Sequence, residues 1–370
     1  MMTAESTTVR PDPAIFGTLR DDLQRGDFAR TVRRDFQELK DYMLEEERKK
    51  RLREMGHIRR WFVLMWWLLK SMFFKLTPAR RLLLILGIAL IVLSRMVIYS
   101  DRSVRVEIDA PGVGMACILF VLMLELKDKL VAHDELKAGR AVQQALMPDR
   151  RPSVPGWDMW LFSRSANEVG GDLVDFMKVT DNRFGIAIGD VAGKGLSAAL
   201  LTAKLQATLR ALVADFTSLS GLGAKLNQIF CRDSLRNIFA SLVYVELAPS
   251  SGSVRMVNAG HIPPLILKRG EIQKMEKGGV ALGIMPEATF VESQLELGSG
   301  DSLLVYSDGL TEAQNERGDF FGEQRLLDMI PEVRRLSAEQ MGQWVVAEVD
   351  RFVGEGKAHD DLSIVVLKRA

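Results

Sequence analysis

Apolar residues are concentrated between residues 61 and 126, and this concentration limits what the chain can fold into. Three apolar runs lie in this region, at 61–69, 82–99 and 112–124. A helix needs about 20 residues to cross a bilayer, and the second run approaches that length by itself. The runs lack polar faces and therefore predict membrane segments. A buried helical bundle is the alternative interpretation.

Charged residues give these segments an orientation. Basic residues flank the second and third runs on their outer sides, whereas the short stretch between the runs has mixed charge; the flanking residues are Arg80, Arg81, Lys127 and Lys129. Because positive flanks stay in the cytoplasm, we expect a hairpin of two spans, at about 82–99 and 112–126, in the cytoplasmic (inner) membrane, with the residues before and after this hairpin in the cytoplasm. Residues 61–76 contain Lys70 and Lys75, so an interfacial helix is favoured there over a third span.

The sequence divides into four parts. Residues 1–60 are polar, residues 61–126 form the membrane region, residues 127–150 predict a linker helix, and residues 151–370 form a further domain. The linker holds a single glycine and no proline before Pro148, which ends the helix. It lacks a sustained heptad, so its pattern permits a homodimer through this helix without requiring one.

Composition excludes several classes of function. The 370 residues carry a net charge of +1, so no charge excess favours nucleic-acid binding. Two cysteines in a chain of this length exclude a disulfide-built scaffold. With four histidines in all, a histidine-based metal site is not expected.

Beyond residue 157 the pattern changes to short strands, glycine-rich turns and a few helices. Strand patterns occupy 183–190, 239–247, 253–258, 265–268, 290–297, 302–306 and 362–367, and helical patterns occupy 197–213, 222–232, 322–330 and 338–353. Most of the strands follow one another without an intervening helix. This order predicts an α+β fold of antiparallel sheets with outer helices, rather than a doubly wound parallel sheet.

Aspartates stand beside turns or at the predicted strand ends in four separate segments. They are Asp172 in EVGGD, Asp190 in IGDVAGKG, Asp308 in YSDGLTE, and Asp360 with Asp361 in HDDLS. Carboxylates suit Mg²⁺ or Mn²⁺ better than zinc, and four of them can hold two ions that activate a shared water. Each aspartate taken singly is better explained as a turn residue. The prediction of a two-metal site depends on the set.

The motifs EVGGD, GDVAGKG, NAGHIPP, YSDGLTEAQN and HDDLS, in this order, resemble the bacterial PPM serine/threonine phosphatases. The resemblance is to the stage II sporulation protein E-like branch of the protein phosphatase 2C superfamily and covers about residues 135–370. The helix ELKAGRAVQQALMP at 135–148 is similar to the linker that precedes the domain in this family. The resemblance implies a central β-sandwich of two antiparallel sheets flanked by helices, with two Mn²⁺ or Mg²⁺ ions in a cleft at one end.

The resemblance also implies which residues hold the metals. Asp190 would bridge both ions, and the backbone carbonyl of Val191 would complete one of the two metal sites. Asp172, Asp308 and Asp360 would supply the remaining protein ligands.

Other residues of the motifs have less defined roles. Asp361 is expected to support the site from behind the ligands, and Lys194 has no settled role in the family. For Asn258 and His261 a structural hydrogen-bonding role is favoured over proton donation by the histidine. His359 is expected to be a neighbour of the site. No clear equivalent exists for the phosphate-anchoring arginine of the eukaryotic relatives.

The activity implied by the resemblance is direct hydrolysis of phosphoserine or phosphothreonine in a protein. A hydroxide shared by two metals would attack phosphorus in line, without a phosphoenzyme. The implied partner is a phosphorylated signalling regulator such as an anti-sigma-factor antagonist. Two alternatives remain: a membrane-bound signalling scaffold with an inactive phosphatase fold, and hydrolysis of a non-protein phosphoester such as a nucleotide.

Overall fold

The chain forms two compact units, residues 1–129 and residues 130–370. The computed structural model describes residues 51–52, 55–92, 97–100, 104–107, 109–233, 238–249, 251–269, 271–356 and 358–370. The predicted polar region 1–60 lies mostly outside the described residues.

The first unit is built from helices and a short hairpin. Helix α1 spans His57–Lys75, α2 spans Pro78–Val92, and the antiparallel strands β1 and β2 span Val97–Ser100 and Val104–Glu107. Helix α3 spans Ala110–Leu146, so its last part belongs to the second unit. The predicted interfacial helix at 61–76 corresponds to α1. The predicted third run and linker helix are one continuous helix.

Apolar side chains cover much of the outer surface of this unit. Phe62 and Trp66 of α1 and Met123 of α3 are each more than half exposed. Helices α2 and α3 approach closely where two glycines meet, because a Cβ on Gly87 would lie 2.8 Å from the carbonyl oxygen of Gly114. Exposed apolar surface and glycine contacts are both typical of helices that pack in an apolar solvent.

The predicted span at 82–99 is wrong at its C-terminal end. Helix α2 ends at Val92, and residues 97–100 form a strand that pairs with β2. β-Branched and aromatic residues at 97–99 favour extended backbone.

Two of the described helical segments are long and apolar enough to cross a membrane. They are Ala110–Leu146 and Leu196–Asp215. The second segment belongs to the second unit, where its Leu205 and Leu209 are buried in a protein core. Only the first therefore has the character of a membrane segment, and length and composition alone are weak evidence for a span.

Two five-stranded antiparallel sheets form the centre of the second unit. The strands are β3 (Trp157–Arg164), β4 (Asp172–Thr180), β5 (Arg183–Val191), β6 (Ala240–Leu247), β7 (Ser253–Ala259), β8 (Leu265–Lys268), β9 (Glu271–Lys274), β10 (Glu292–Glu296), β11 (Ser302–Tyr306) and β12 (Leu362–Arg369). The helices are α4 (Leu196–Leu212), α5 (Leu219–Asp233), α6 (Asp308–Thr311), α7 (Glu323–Val333) and α8 (Ala338–Val353). The strand orders are β10-β7-β6-β5-β4 and β3-β12-β11-β8-β9.

Three apolar layers hold these elements together. Side chains such as Ile186 and Val365 meet between the two sheets. Helices α4 and α5 cover the outer face of the first sheet, where Phe230 is fully buried. Helices α7 and α8 cover the second sheet, where Val345 is fully buried. The predicted α+β fold, with two antiparallel sheets flanked by helices, is confirmed.

Candidate metal centre

Two of the predicted ligands lie opposite each other on the hairpin β4–β5. Asp172 is the first residue of β4 and pairs with Asp190 near the end of β5. The carbonyl of Val191 and the carboxylate of Asp190 both approach Gly171, because a Cβ on that glycine would lie 3.1 Å from the carbonyl oxygen and 3.2 Å from Asp190 Oδ1. The first sheet therefore brings three of the expected donors to one end.

The other two predicted ligands come from the second sheet. Asp308 is the first residue of α6, directly after β11, and Asp360 precedes β12. Strands β11 and β12 are paired at this end. A Cβ on Gly309 would lie 1.9 Å from the carbonyl oxygen of Asp361, so only glycine fits there. The two aspartate segments thus pack backbone against backbone.

The four aspartates form the acidic cluster, and the pKa values of Asp172, Asp190 and Asp308 are raised. Burial raises the pKa of Asp190 to about 6, helped by the charges of Asp308 and Asp360. Burial, followed by the charge of Asp190, raises the pKa of Asp172 well above its ordinary value. The pKa of Asp308 is raised by burial and then by Asp360. Carboxylates from both sheets therefore lie close enough to repel one another, and a bound cation would reduce this repulsion.

Asp361 organises the backbone around the acidic cluster. Its Oδ1 accepts a hydrogen bond from the N–H of Ala166 at 2.7 Å, and its Oδ2 accepts one from the N–H of Gly171 at 2.6 Å. The carboxylate is buried and satisfied by backbone donors. These contacts favour a supporting role for Asp361, in which it fixes the loop that leads to Asp172.

Lys194 joins two of the cluster's loops. Its Nζ donates to the carbonyl oxygen of His359 at 3.0 Å and lies 3.4 Å from Asp360 Oδ2. Because the lysine side chain is 62% exposed, this ion pair is largely solvated and contributes little to stability. Lys194 is therefore a cation at the open edge of the cluster, and His359 meets it through its backbone carbonyl.

His261 and Asn258 lie in a buried hydrogen-bonding environment. Nδ1 of His261 lies 2.8 Å from Ser241 Oγ, and the side chain of Asn258 bonds both the N–H and the carbonyl of His261. Burial lowers the pKa of His261 to about 4, so its imidazole is neutral near pH 7. These contacts favour the structural role over proton donation.

Two residues outside the predicted set hold the loop that leads to Asp172. The amide of Gln143, near the end of α3, accepts from the N–H of Gly170 at 3.1 Å and donates to its carbonyl at 2.9 Å. Thr202 of α4 donates to the carbonyl of Gly171 at 2.6 Å. The sequence signal that includes Gln143 is the linker-like motif at 135–148. No motif marks Thr202.

The donor set fits a hard divalent cation. All four members of the acidic cluster are carboxylates, and Val191 adds a carbonyl oxygen. The buried Oδ2 of Asp172 has no hydrogen-bond partner among the described residues. Within that same part of the chain, no three His, Cys, Asp or Glu side chains are gathered closely enough to hold an ion as they stand. Ion binding would therefore require the carboxylates to draw together.

A cavity of about 310 Å³ opens beside Asp360. Its lining includes Gly309, Arg164 and Asp350. Arg164 donates to both carboxylate oxygens of Asp350, at 3.0 and 2.6 Å, so its guanidinium is already engaged. The cavity gives a substrate room to reach the acidic cluster.

Comparison with known families and proteins agrees with this architecture. The sequence profile of Stage II sporulation protein E (SpoIIE) matches residues 180–370, just over half of the chain. Protein IcfG of Synechocystis sp. is 30% identical over 234 residues, covering 56% of this chain and 37% of IcfG. The phosphoserine phosphatase RsbU of Bacillus subtilis is 26% identical over 260 residues, covering 70% of this chain and 76% of RsbU.

Solved structures share the sandwich. The SiaA-PP2C domain of Pseudomonas aeruginosa aligns with a TM-score of 0.57 at 21% identity, covering 65% of this chain and 98% of that domain. The RsbU and RsbW domains of Rv1364c from Mycobacterium tuberculosis align with a TM-score of 0.52 at 23% identity, covering 59% of this chain and 61% of that one. At these identities the likeness shows a common fold.

Proposed function

The chain belongs to the stage II sporulation protein E family, and from this membership we propose that it is a protein serine/threonine phosphatase that requires two Mn²⁺ or Mg²⁺ ions. The observation that carries the proposal is the acidic cluster, in which carboxylates from both sheets meet at one end and burial, followed by neighbouring carboxylate charges, raises the pKa of Asp190 and of Asp308. Such a cluster is costly for folding unless cations neutralise it, so its presence supports a metal-dependent function.

Some residues would hold the ions, and others would hold the loops that carry the metal ligands. Asp172, Asp190, Asp308, Asp360 and the carbonyl of Val191 would hold the two ions. When bound, the ions would supply a nucleophilic water at neutral pH and neutralise the phosphoryl oxygens. Asp361 would keep the ligand loops in register through its backbone hydrogen bonds.

The proposed substrate is a signalling protein that carries phosphoserine or phosphothreonine, such as an anti-sigma-factor antagonist. Two relatives, RsbU and RsbP of Bacillus subtilis, are named phosphoserine phosphatases, which supports this class of substrate. The chain spans 37% of IcfG and 38% of RsbP, so the wider activities and partners of those proteins do not transfer directly.

We place the protein at the cytoplasmic membrane, with its catalytic domain in the cytoplasm. The support is the exposed apolar surface of the first unit and the length of α3, whose first part is apolar and whose last part holds Gly170 through Gln143. A continuous helix is stiff enough to transmit a rotation or a shift, which a Gly/Ser linker would not do. Dimerisation through α3 would be one source of such a movement.

The decisive experiment measures phosphate release by the purified full-length chain. We expect release from a phosphoserine protein with Mn²⁺ or Mg²⁺, no release with excess chelator, and loss of most activity in Asp190→Asn. Asp181→Asn is the matched control, because Asp181 lies in the exposed turn of the same hairpin β4–β5. Activity that survives chelation would contradict the two-metal account.

The same assay separates the two alternatives. An inactive scaffold would release no phosphate from any substrate, even though it binds metal. An enzyme for non-protein phosphoesters would hydrolyse nucleotides faster than phosphoproteins. Turnover of a phosphoserine protein well above that of nucleotides is the result that supports the proposed substrate class.

A further inference from the structure

A second cavity, of about 340 Å³, lies at the opposite ends of the strands that carry Asp308 and Asp360. It is bordered by the β8–β9 hairpin, the start of β11, the end of β12 and the end of α7. Strand β11 runs from Ser302, at this cavity, to Tyr306, two residues before Asp308. The four residue steps from Ser302 to Tyr306 correspond to about 14 Å of strand. The cavity is therefore distinct from the acidic cluster.

Cationic side chains outnumber acidic ones in the lining of this cavity. They are Arg269, Arg334, Arg335 and Lys368, against the two carboxylates Glu271 and Asp301. The guanidinium groups of the three arginines make no ion pair or hydrogen bond with any residue that the structure describes. Asp301 accepts hydrogen bonds from the backbone N–H groups of Gly298 and Arg269. Lys368 donates to two carbonyls at the end of α7.

The placement of the arginines has only a partial structural explanation. Arg334 and Arg335 follow the last residues of α7, and cations are favourable near a helix C-terminus. That argument does not apply to Arg269, which has a φ of 51° and is the one non-glycine with a left-handed backbone among the described residues. Arg269 lies in the two-residue connection between the paired residues Lys268 and Glu271, and such tight hairpins use left-handed backbone. The turn accounts for the backbone of Arg269 but not for the position of its side chain in the cavity lining.

A buried hydroxyl without a partner in the described part of the chain lies beside two of the residues that line this cavity. The side chain of Ser302 is 1% exposed, and its Oγ has no hydrogen-bond partner among the described residues. In the sheet, Ser302 pairs with Leu267 on one side and Lys368 on the other, and both of these residues line the cavity. An unpaired buried hydroxyl is costly, so Ser302 places an unsatisfied polar group directly behind the lining of the cavity.

We propose that this cavity is a binding site for a small phosphate-bearing anion, either inorganic phosphate or an organic phosphate monoester. Guanidinium groups pair with phosphate oxygens through two parallel hydrogen bonds, which explains a cluster of arginines without protein partners. The volume matches a small molecule rather than a protein segment. The proposal does not depend on phosphatase activity, because none of these residues belongs to the acidic cluster.

Equilibrium dialysis of the full-length chain with ³²P-labelled inorganic phosphate tests the proposal. The experiment is done in excess EDTA, so that the acidic cluster lacks metals and repels phosphate. We expect saturable binding of one phosphate per chain, weakened about tenfold or more in the double variant Arg334→Gln/Arg335→Gln. The variant Arg317→Gln is the matched control, since Arg317 is an exposed arginine outside the cavity. Asp190→Asn should bind phosphate as well as the wild type does.

A second variant distinguishes loss of the phosphate site from misfolding of the protein. Arg269→Gly removes one guanidinium and relieves the left-handed backbone, so it should fold normally and still lose phosphate affinity. Competition by glycerol 3-phosphate identifies the natural source: stronger competition than by unlabelled phosphate indicates an organic monoester, and equal or weaker competition indicates phosphate itself. Absence of saturable binding at millimolar phosphate, or unchanged binding in both arginine variants, would overturn the proposal. Loss of binding in Asp190→Asn would instead place the phosphate at the acidic cluster and also overturn it.

Discussion

At the scale of single residues, the loop that leads to Asp172 depends on one amide side chain. Gln143 bonds both backbone groups of Gly170, two residues before Asp172. We expect Gln143→Ala to raise the Mn²⁺ concentration needed for half-maximal phosphate release by about tenfold, because residues that orient metal ligands have effects of this size. The rate at saturating Mn²⁺ should change less. Gln144→Ala is the control, since Gln144 is exposed, and an unchanged metal requirement in Gln143→Ala would contradict the role.

Protonation of Asp190 should compete with metal binding. Burial and the neighbouring carboxylates raise the pKa of this residue from 3.8 to about 6. We therefore expect Mn²⁺ affinity, measured by titration calorimetry, to weaken steeply as the pH falls below about 6. In the metal-free protein, the same raised pKa contributes stability at low pH that is lost as the pH rises through about 6. Affinity that does not change between pH 7 and pH 5 would contradict this assignment.

At the scale of elements, an ion pair with a buried carboxylate and a partly exposed arginine fastens α4 to β4. Asp175 is fully buried, and Arg210 donates to its two carboxylate oxygens at 2.8 and 2.6 Å. We expect Arg210→Gln to lower the free energy of unfolding by about 3 kcal/mol, because it leaves a buried carboxylate without its partner. Urea unfolding measures this change. The double variant with Asp175→Asn should recover part of the loss.

An exposed pair provides the comparison for this experiment. Arg232 also pairs with a neighbouring aspartate, Asp233, but its side chain is 74% exposed. Arg232→Gln should leave the unfolding midpoint unchanged, since solvent screens such pairs. Equal effects of the Arg210 and Arg232 substitutions would show that burial of Asp175 does not govern the stability of this contact.

Helix α3 should transmit movement to the site. One alanine inserted after Glu135 turns the following part of the helix by about 100° and moves Gln143 away from Gly170. We expect the full-length chain with this insertion to release phosphate at a clearly altered rate. One alanine inserted in the exposed turn after Asp181 is the control. Equal rates for the α3 insertion and the wild type would show that the helix is only a tether.

The sequence predicts some elements well for physical reasons. The bounds of β11 and α8 match the prediction, because β11 is a continuous apolar run and α8 begins at a capping box formed by Ser337 and Gln340. Strand β4 is absent from the prediction, since its buried Asp172 and Asp175 conceal an apolar pattern. The residues that interact with these buried carboxylates are distant in the sequence, so no local sequence pattern reveals them.

At the scale of the whole molecule, the topology of the first unit stays a prediction. Single cysteines placed within residues 100–111 should react with a membrane-impermeant thiol reagent from outside the cell. Cysteines at residues 30 and 250 should react only after permeabilisation, because both lie on the predicted cytoplasmic side. Labelling of residue 30 in intact cells would favour a third span through α1.

The candidate site could be predicted only in part, because some of its contacts join residues that are distant in the sequence. Glycines or neighbouring acids mark the four aspartates of the acidic cluster, so the sequence alone indicates them. The hydrogen bond from the N–H of Gly171 to the Asp361 carboxylate joins residues that are 190 positions apart in the sequence. The hydrogen bond from the Thr202 hydroxyl to the carbonyl of Gly171 joins residues that are 31 positions apart. Contacts of this kind depend on how the two sheets pack, so only the folded chain reveals them.

Strand β12 comes last among the strands in the sequence, yet it lies between β3 and β11 in its sheet. A chain emerges from the ribosome N-terminus first, so β3 has no partner in this sheet until residues 362–369 have been made. The same late segment brings Asp360 to the other aspartates. A nascent or shortened chain that stops before Asp360 therefore has an open sheet edge and an incomplete acidic cluster. The order of translation itself delays assembly of the site until the domain can close.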